Sequence, residues 1–115
     1  MTIKIYHNPR CSKSRQALDL LKRKNIEAQV ILYLENAPSV KEIKEILKML
    51  KVSAREIMRK GEAEFAELGL ADLNISEEKL IEAISENPKL LERPIVVNGT
   101  KAAIGRPIEN ILEIL

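Results

Sequence analysis

Thr2-Ile3-Lys4-Ile5-Tyr6-His7-Asn8-Pro9-Arg10-Cys11-Ser12-Lys13-Ser14-Arg15 passes from a strand to a helix through a short polar loop. Residues 2–6 alternate polar with apolar at the period of a strand, and Pro9 halts the run. Ala17, Leu18, Leu20 and Leu21 then recur at helical spacing, so a helix is expected over about Ser12 to Lys24. Cys11, the only cysteine of the chain, falls near the start of that helix, where backbone N–H groups have no partner within the helix. A free cysteine titrates near roughly 8.5, and its pKa drops toward roughly 3.5–7.5 beside cations or at the positive end of a helix. His7, Arg10, Lys13 and Arg15 supply such a setting, so Cys11 reads as a stable thiolate rather than an inert buried hydrophobe.

Outward from this loop, Ala28-Gln29-Val30-Ile31-Leu32-Tyr33 is expected to be a largely buried strand, parallel to the first through a right-handed crossover. Ser39 with Glu42 forms a capping box that opens a second helix, with Val40, Ile43, Leu47 and Leu50 on one face. A third helix is expected from Ser53, with Glu56 as its capping partner, Ile57 and Met58 turned inward, and Gly61 as its stop. Phe65 and Leu68 mark an apolar link that Gly69 breaks, and Ser76 starts a further helix ending near Asn87-Pro88. The period then becomes that of a sheet. Ile95-Val96-Val97 and Lys101-Ala102-Ala103-Ile104 flank Asn98-Gly99-Thr100, a hairpin signal, and a last helix is expected from Glu109 to Leu115 with Ile111, Leu112 and Leu115 inward.

This order predicts an α/β fold: one domain over residues 1–115, a four-stranded mixed sheet, and a helical insertion at about residues 38–90. It is similar to the thioredoxin-like class, in which a reactive cysteine begins the first helix and a proline precedes the third strand. Pro94 stands in that place, and a cis Arg93-Pro94 bond is expected.

The bulk composition narrows the functions open to the chain. Its 115 residues suffice for a core without disulfides, and no apolar run approaches a membrane span. A net charge of +2, a single Phe, two Tyr and no Trp provide neither a basic stripe nor a stacking platform for nucleic acid. One Cys and one His make a metal site unexpected. The N-terminus lacks the pattern of a secretory signal, so a reducing cytoplasm is the expected home, and a monomer the expected state.

Arg93 and Arg106 each precede a proline beside the hairpin, and the planar fork of arginine binds oxyanions in a way that lysine does not. An oxyanion is therefore the expected guest of Cys11. His7 is close enough along the loop to act on the sulfur, and Ser14 can face it from the first helical turn. The interval from Cys11 to Arg15 is too short for a phosphatase-type loop. Because position 14 is serine, no resolving thiol exists in the chain, and a disulfide cycle must take its second sulfur from outside.

The segments His7 to Arg15, Ile31-Leu32-Tyr33-Leu34-Glu35, Met58-Arg59-Lys60, Glu92-Arg93-Pro94-Ile95-Val96-Val97 and Gly105-Arg106-Pro107 together resemble the glutaredoxin-coupled arsenate reductase (ArsC) family, in particular its short YfgD-like group. The resemblance implies that Cys11 is the nucleophile and that Arg59, Arg93 and Arg106 hold arsenate and later arsenite. It implies that His7 and Ser14 help keep Cys11 ionised. It also implies glutathione as co-substrate, glutaredoxin as partner and no bound cofactor. Two other readings stand beside it: a redox-responsive transcription adaptor, since the Spx regulators resemble this family, and a reductase of another oxyanion or of a mixed disulfide. The Spx regulators usually have cysteine where Ser14 stands, which argues against the first of these.

Overall fold

The computed structural model describes residues 2–115. The sheet has the order β2-β1-β3-β4, with β1 Ile3–Tyr6, β2 Gln29–Ile31, β3 Ile95–Asn98 and β4 Lys101–Ile104. β1 runs parallel to β2 and antiparallel to β3, and β3 runs antiparallel to β4. The sheet is therefore mixed. Its hydrogen bonds place the C-terminal ends of β1, β2 and β4 and the N-terminal end of β3 at one end of the sheet, and the loops there carry His7 to Cys11, Leu32 to Glu35, Arg93 and Arg106.

The chain forms two compact units: the residues up to Asn36 with Arg93–Leu115, and Ala37–Glu92. The first contains the whole sheet and the helix α1, Ser12–Arg23. Its core joins Ile5 of β1 and Val96 of β3, which are register partners, to Ala17 and Leu21 of α1 and to Ile111. Ser14, Ala17 and Leu21 are the buried residues of α1, three and then four apart, so helical periodicity turns Ser14 inward. Lys22 and Arg23 occupy the last turn, where cations suit the negative end of the helix.

The second unit holds α2 Val40–Leu50, α3 Ala63–Glu67 and α4 Glu77–Glu86. The capping box at the start of α2 is present: Ser39 Oγ accepts from the Glu42 N–H at 3.1 Å, and the Ser39 N–H donates to Glu42 Oε1 at 3.4 Å. Ser76 Oγ accepts from the Lys79 N–H at 3.2 Å at the head of α4. α4 packs against α2 and against the 3₁₀ turns Ala54–Ile57 and Pro88–Leu90. Ile43, Ile46, Leu47, Leu80, Ile81 and Ile84 are buried.

Four expectations need correction. The second strand is shorter than Ala28 to Tyr33 and half open: β2 ends the sheet order, so it has one neighbour, and Gln29 and Val30 are exposed. The helix expected from Ser53 to about Lys60 is only the turn Ala54–Ile57. Met58 leaves it in an extended conformation to bridge Leu91, with Arg59 N–H donating to the Leu90 carbonyl and Glu92 N–H to the Ile57 carbonyl, each at 2.7 Å. The link around Phe65 is helical. The last helix is a 3₁₀ helix over Ile108–Ile114 rather than α-helical. With three residues per turn, Ile108, Ile111 and Ile114 share one face and meet the core, while Leu112 and Leu115 are exposed.

The hairpin turns through Gly99-Thr100, since Asn98 is the register partner of Lys101. Gly99 has a φ of +63°, which places glycine at the first central position, as a type II′ turn requires. Asn98 instead donates its side-chain amide to the Ile114 carbonyl at 2.6 Å, tying the hairpin to the 3₁₀ helix.

Candidate active site

Cys11 is the N-cap of α1, with extended backbone (φ −94°, ψ 122°). Its own N–H donates to the Asn8 carbonyl at 3.0 Å, and its carbonyl accepts from Arg15 N–H at 3.0 Å. The sulfur therefore stands at the positive end of a 12-residue helix whose first turn holds no acidic residue. Cys11 is only 8% exposed, so an attacking or attacked group must come to it along a defined path.

Arg106 brings a cation to the sulfur. Its Nη2 lies 3.7 Å from Cys11 Sγ, and its Nε donates to the Arg93 carbonyl at 2.7 Å. The guanidinium is thus held at two points, one of them the sulfur. Arg93-Pro94 is cis, and so is Arg106-Pro107. Gly105 N–H donates to the Pro94 carbonyl at 2.8 Å, joining the two Arg-Pro pairs. A Cβ on Gly105 would stand 2.8 Å from Pro94 Cγ and 3.0 Å from Ile111 Cδ1, so only glycine allows this approach.

On the other side of the loop, β1 and β2 extend their pairing by one bond, from His7 N–H to the Ile31 carbonyl at 2.8 Å, which sets the position of the histidine. His7 is buried, and its Nδ1 lies 2.6 Å from Ser14 Oγ. Ser14, with no exposed surface, also accepts from Asn8 N–H at 3.0 Å. The pKa of His7 is lowered from its ordinary 6.5, first by burial and then by the nearby charges of Arg15 and Lys22, against a smaller opposing effect of the Ser14 hydrogen bond. At neutral pH it is an uncharged ring joined to the loop through Ser14.

Arg15 and Asn8 have structural roles that the sequence did not single out. Arg15 Nη1 donates to the Pro9 carbonyl at 2.8 Å, and Asn8 Oδ1 accepts from Arg10 N–H at 3.0 Å. These two bonds fix the loop from both ends. The Asn-Pro pair is a recognisable sign of such a turn, whereas the reach of Arg15 back across Cys11 has no local signature.

Arg59 belongs to the Ala37–Glu92 unit, where its Nη1 meets Glu62 Oε1 at 3.3 Å. Arg55, which the sequence alone leaves equivalent to it, is committed to structure: its guanidinium donates to the Leu70 carbonyl at 2.7 Å and to the Asp72 carbonyl at 2.9 Å. Among the described residues no cluster of three His, Cys, Asp or Glu side chains could hold a metal ion. Among the same residues no helix is long and apolar enough to cross a membrane.

A cysteine at the head of the first helix, a guanidinium at its sulfur and a cis-proline before β3 mark a protein of the thioredoxin-like class. The ArsC family model matches residues 6–114, and the chain belongs to that family. It is 55% identical over 114 residues to the uncharacterized protein YfgD of Escherichia coli strain K12, covering 98% of this chain and 96% of the relative. To the arsenate reductase of Neisseria meningitidis serogroup A it is 50% identical, covering 98% and 97%. The solved structure of an arsenate reductase from Vibrio cholerae superposes with a TM-score of 0.97 at 49% identity, covering 100% of this chain and 98% of that one.

Proposed function

We propose that this protein reduces arsenate to arsenite through a covalent intermediate on Cys11, with glutathione and glutaredoxin as external reductants. The observation that carries the reading is the Arg106 guanidinium 3.7 Å from the Cys11 sulfur, at a helix N-terminus and in a chain half identical to named arsenate reductases. The guanidinium offers charge to a thiolate before the reaction and to an oxyanion during it.

In the proposed cycle the Cys11 thiolate attacks the arsenic of arsenate, a sulfur–arsenic bond forms, and an arsenate hydroxyl takes a proton from solvent and leaves as water. Glutathione thiolate then attacks the Cys11 sulfur. The sulfur–arsenic bond breaks with its electron pair going to arsenic, which falls from the pentavalent to the trivalent state and departs as arsenite. The two sulfurs are left as a Cys11–glutathione disulfide. The thiol of glutaredoxin takes up the glutathione and frees Cys11. Arg93 and Arg106 hold the oxyanion, and Arg59 keeps the same task by family resemblance. His7 and Ser14 fix the loop that presents the sulfur. The cycle asks for no bound cofactor and suits a monomer in a reducing cytoplasm.

The test is direct. Purified protein with glutathione, glutaredoxin and arsenate is expected to form arsenite, and Cys11→Ser to form none. Absence of arsenite, with a different oxyanion or a protein mixed disulfide turned over instead, would replace arsenate as the substrate. Retention of RNA polymerase with no reductase activity would favour the adaptor reading, against which a serine rather than a cysteine at position 14 argues.

A further inference from the structure

The reductase cycle requires a second thiol from outside, since Cys11 is the only cysteine, and the chain must receive that thiol somewhere near the loop. The sheet order gives the loop after β1 two flanks. On the β3 side stand Arg93 and Arg106, claimed by the oxyanion. On the β2 side, where the parallel strands end together, a cleft of about 220 Å³ opens between Asn8, Pro9 and Arg10, which lead directly into Cys11, and Leu32, Leu34 and Glu35, which follow β2. His7 also lines it.

The chemistry of this cleft is that of a receptor for a small zwitterion. Arg10 and Glu35, both exposed, put opposite charges on its rim, and among the described residues neither is held in an ion pair with another side chain. Pro9, Leu32 and the 40%-exposed Leu34 add apolar surface to its lining. The volume lies below the roughly 300–1,000 Å³ of sites that enclose drug-sized ligands, as suits a short peptide held partly in the open.

We propose that this cleft is the subsite for the thiol co-substrate, a short peptide thiol of the glutathione type, its carboxylate on Arg10, its ammonium on Glu35 and its stem on Leu32 and Leu34. The proposal rests on the reductase reading and assigns the second thiol a place on the flank opposite the oxyanion. The two substrates then approach the Cys11 loop from different sides and need not displace one another.

S-methylglutathione, which cannot react, separates binding from turnover. Titrated into the isotopically labelled full chain, it is expected to give saturable amide shifts at Asn8, Arg10, Leu34 and Glu35. Charge reversal by Arg10→Glu or Glu35→Lys is expected to weaken binding at least about tenfold. In the reductase assay Glu35→Lys raises the KM for glutathione and leaves that for arsenate unchanged. Shifts confined to the residues around Arg93 and Arg106, or an affinity unaffected by both reversals, overturn the proposal even if arsenate is reduced. Binding in the cleft without arsenite formation upholds it and sinks the arsenate reading alone.

Discussion

Arg106 divides its guanidinium between the Arg93 carbonyl and the Cys11 sulfur, and the two contacts have different sensitivities to substitution. Hydrogen bonds to charged groups contribute roughly 1.5–3 kcal/mol. Arg106→Ala is therefore expected to lower kcat/KM for arsenate by about 10- to 100-fold and to slow alkylation of Cys11 by iodoacetamide at pH 7. Arg106→Lys keeps the charge but not the fork that bridges the two partners, so it recovers only part of either rate. Equal alkylation rates in all three proteins would remove Arg106 from the activation of the thiol. His7 yields a prediction of another kind. The unfolded chain takes up a proton on His7 near pH 6.5, whereas the folded chain resists until a lower pH. Below 6.5 the unfolded state thus binds more protons, and stability falls with pH until the lowered native pKa is passed. Urea midpoints measured from pH 7 downward are expected to show this loss in the wild type and not in His7→Asn across that interval, and parallel curves would refute it. Neither role is visible in the local sequence. The Cys11 loop itself was readable, because Pro9 and the spacing of Ala17 and Leu21 are local signals, but the engagement of Arg55 by the carbonyls of Leu70 and Asp72 joins residues too far apart in the chain to leave a local one.

Elements whose ends are set by local chemistry were legible, and those set by distant partners were not. Ser39 with Glu42, Ser76 and the Gly99 turn mark α2, α4 and the hairpin in the sequence and in the structure alike. The turn Ala54–Ile57 begins as Ser53 and Glu56 suggest, with Ser53 N–H donating to Glu56 Oε2 at 3.0 Å, but the Leu90–Glu92 segment pulls Met58 into a bridge and ends it. Likewise the triplet Ile108, Ile111 and Ile114 is spaced for a 3₁₀ helix, a pattern hidden beside the equally apolar Leu112 and Leu115. Gly105 is the junction at which these elements carry Arg106. Adding a methyl group at contacts of 2.8 and 3.0 Å to Pro94 and Ile111 forces one of them to move. Gly105→Ala is expected to destabilise the fold by about 1–3 kcal/mol, as overpacking commonly does. It should also lower activity by more than the fraction of unfolded protein explains, because Arg106 follows it directly. Ser39→Ala, in the Ala37–Glu92 unit, is the control: about 1 kcal/mol lost in a urea titration, with kcat unchanged.

At the scale of the whole chain, the single thiol determines what oxidation can do. An internal disulfide is impossible with one cysteine, and the 8% exposure of Cys11 in a loop braced by Arg15 and Asn8 leaves little room for two folded copies to join sulfur to sulfur. A small disulfide is under no such restriction, and the Arg106 guanidinium stands 3.7 Å from the sulfur that such a disulfide would meet. Incubation with oxidised glutathione is therefore expected to give one glutathione per chain, located on Cys11 by mass spectrometry, with the protein still of monomer size on a non-reducing gel. Glutaredoxin should remove the adduct. Arg106→Ala should acquire it more slowly, whereas the denatured wild type, stripped of its helix and its arginine, sets the rate of an ordinary thiol. If the folded chain reacts no faster than the denatured one, or cross-links to itself before it accepts glutathione, then the loop shields its sulfur instead of activating it, and the redox partner of Cys11 must be sought in something other than a small thiol.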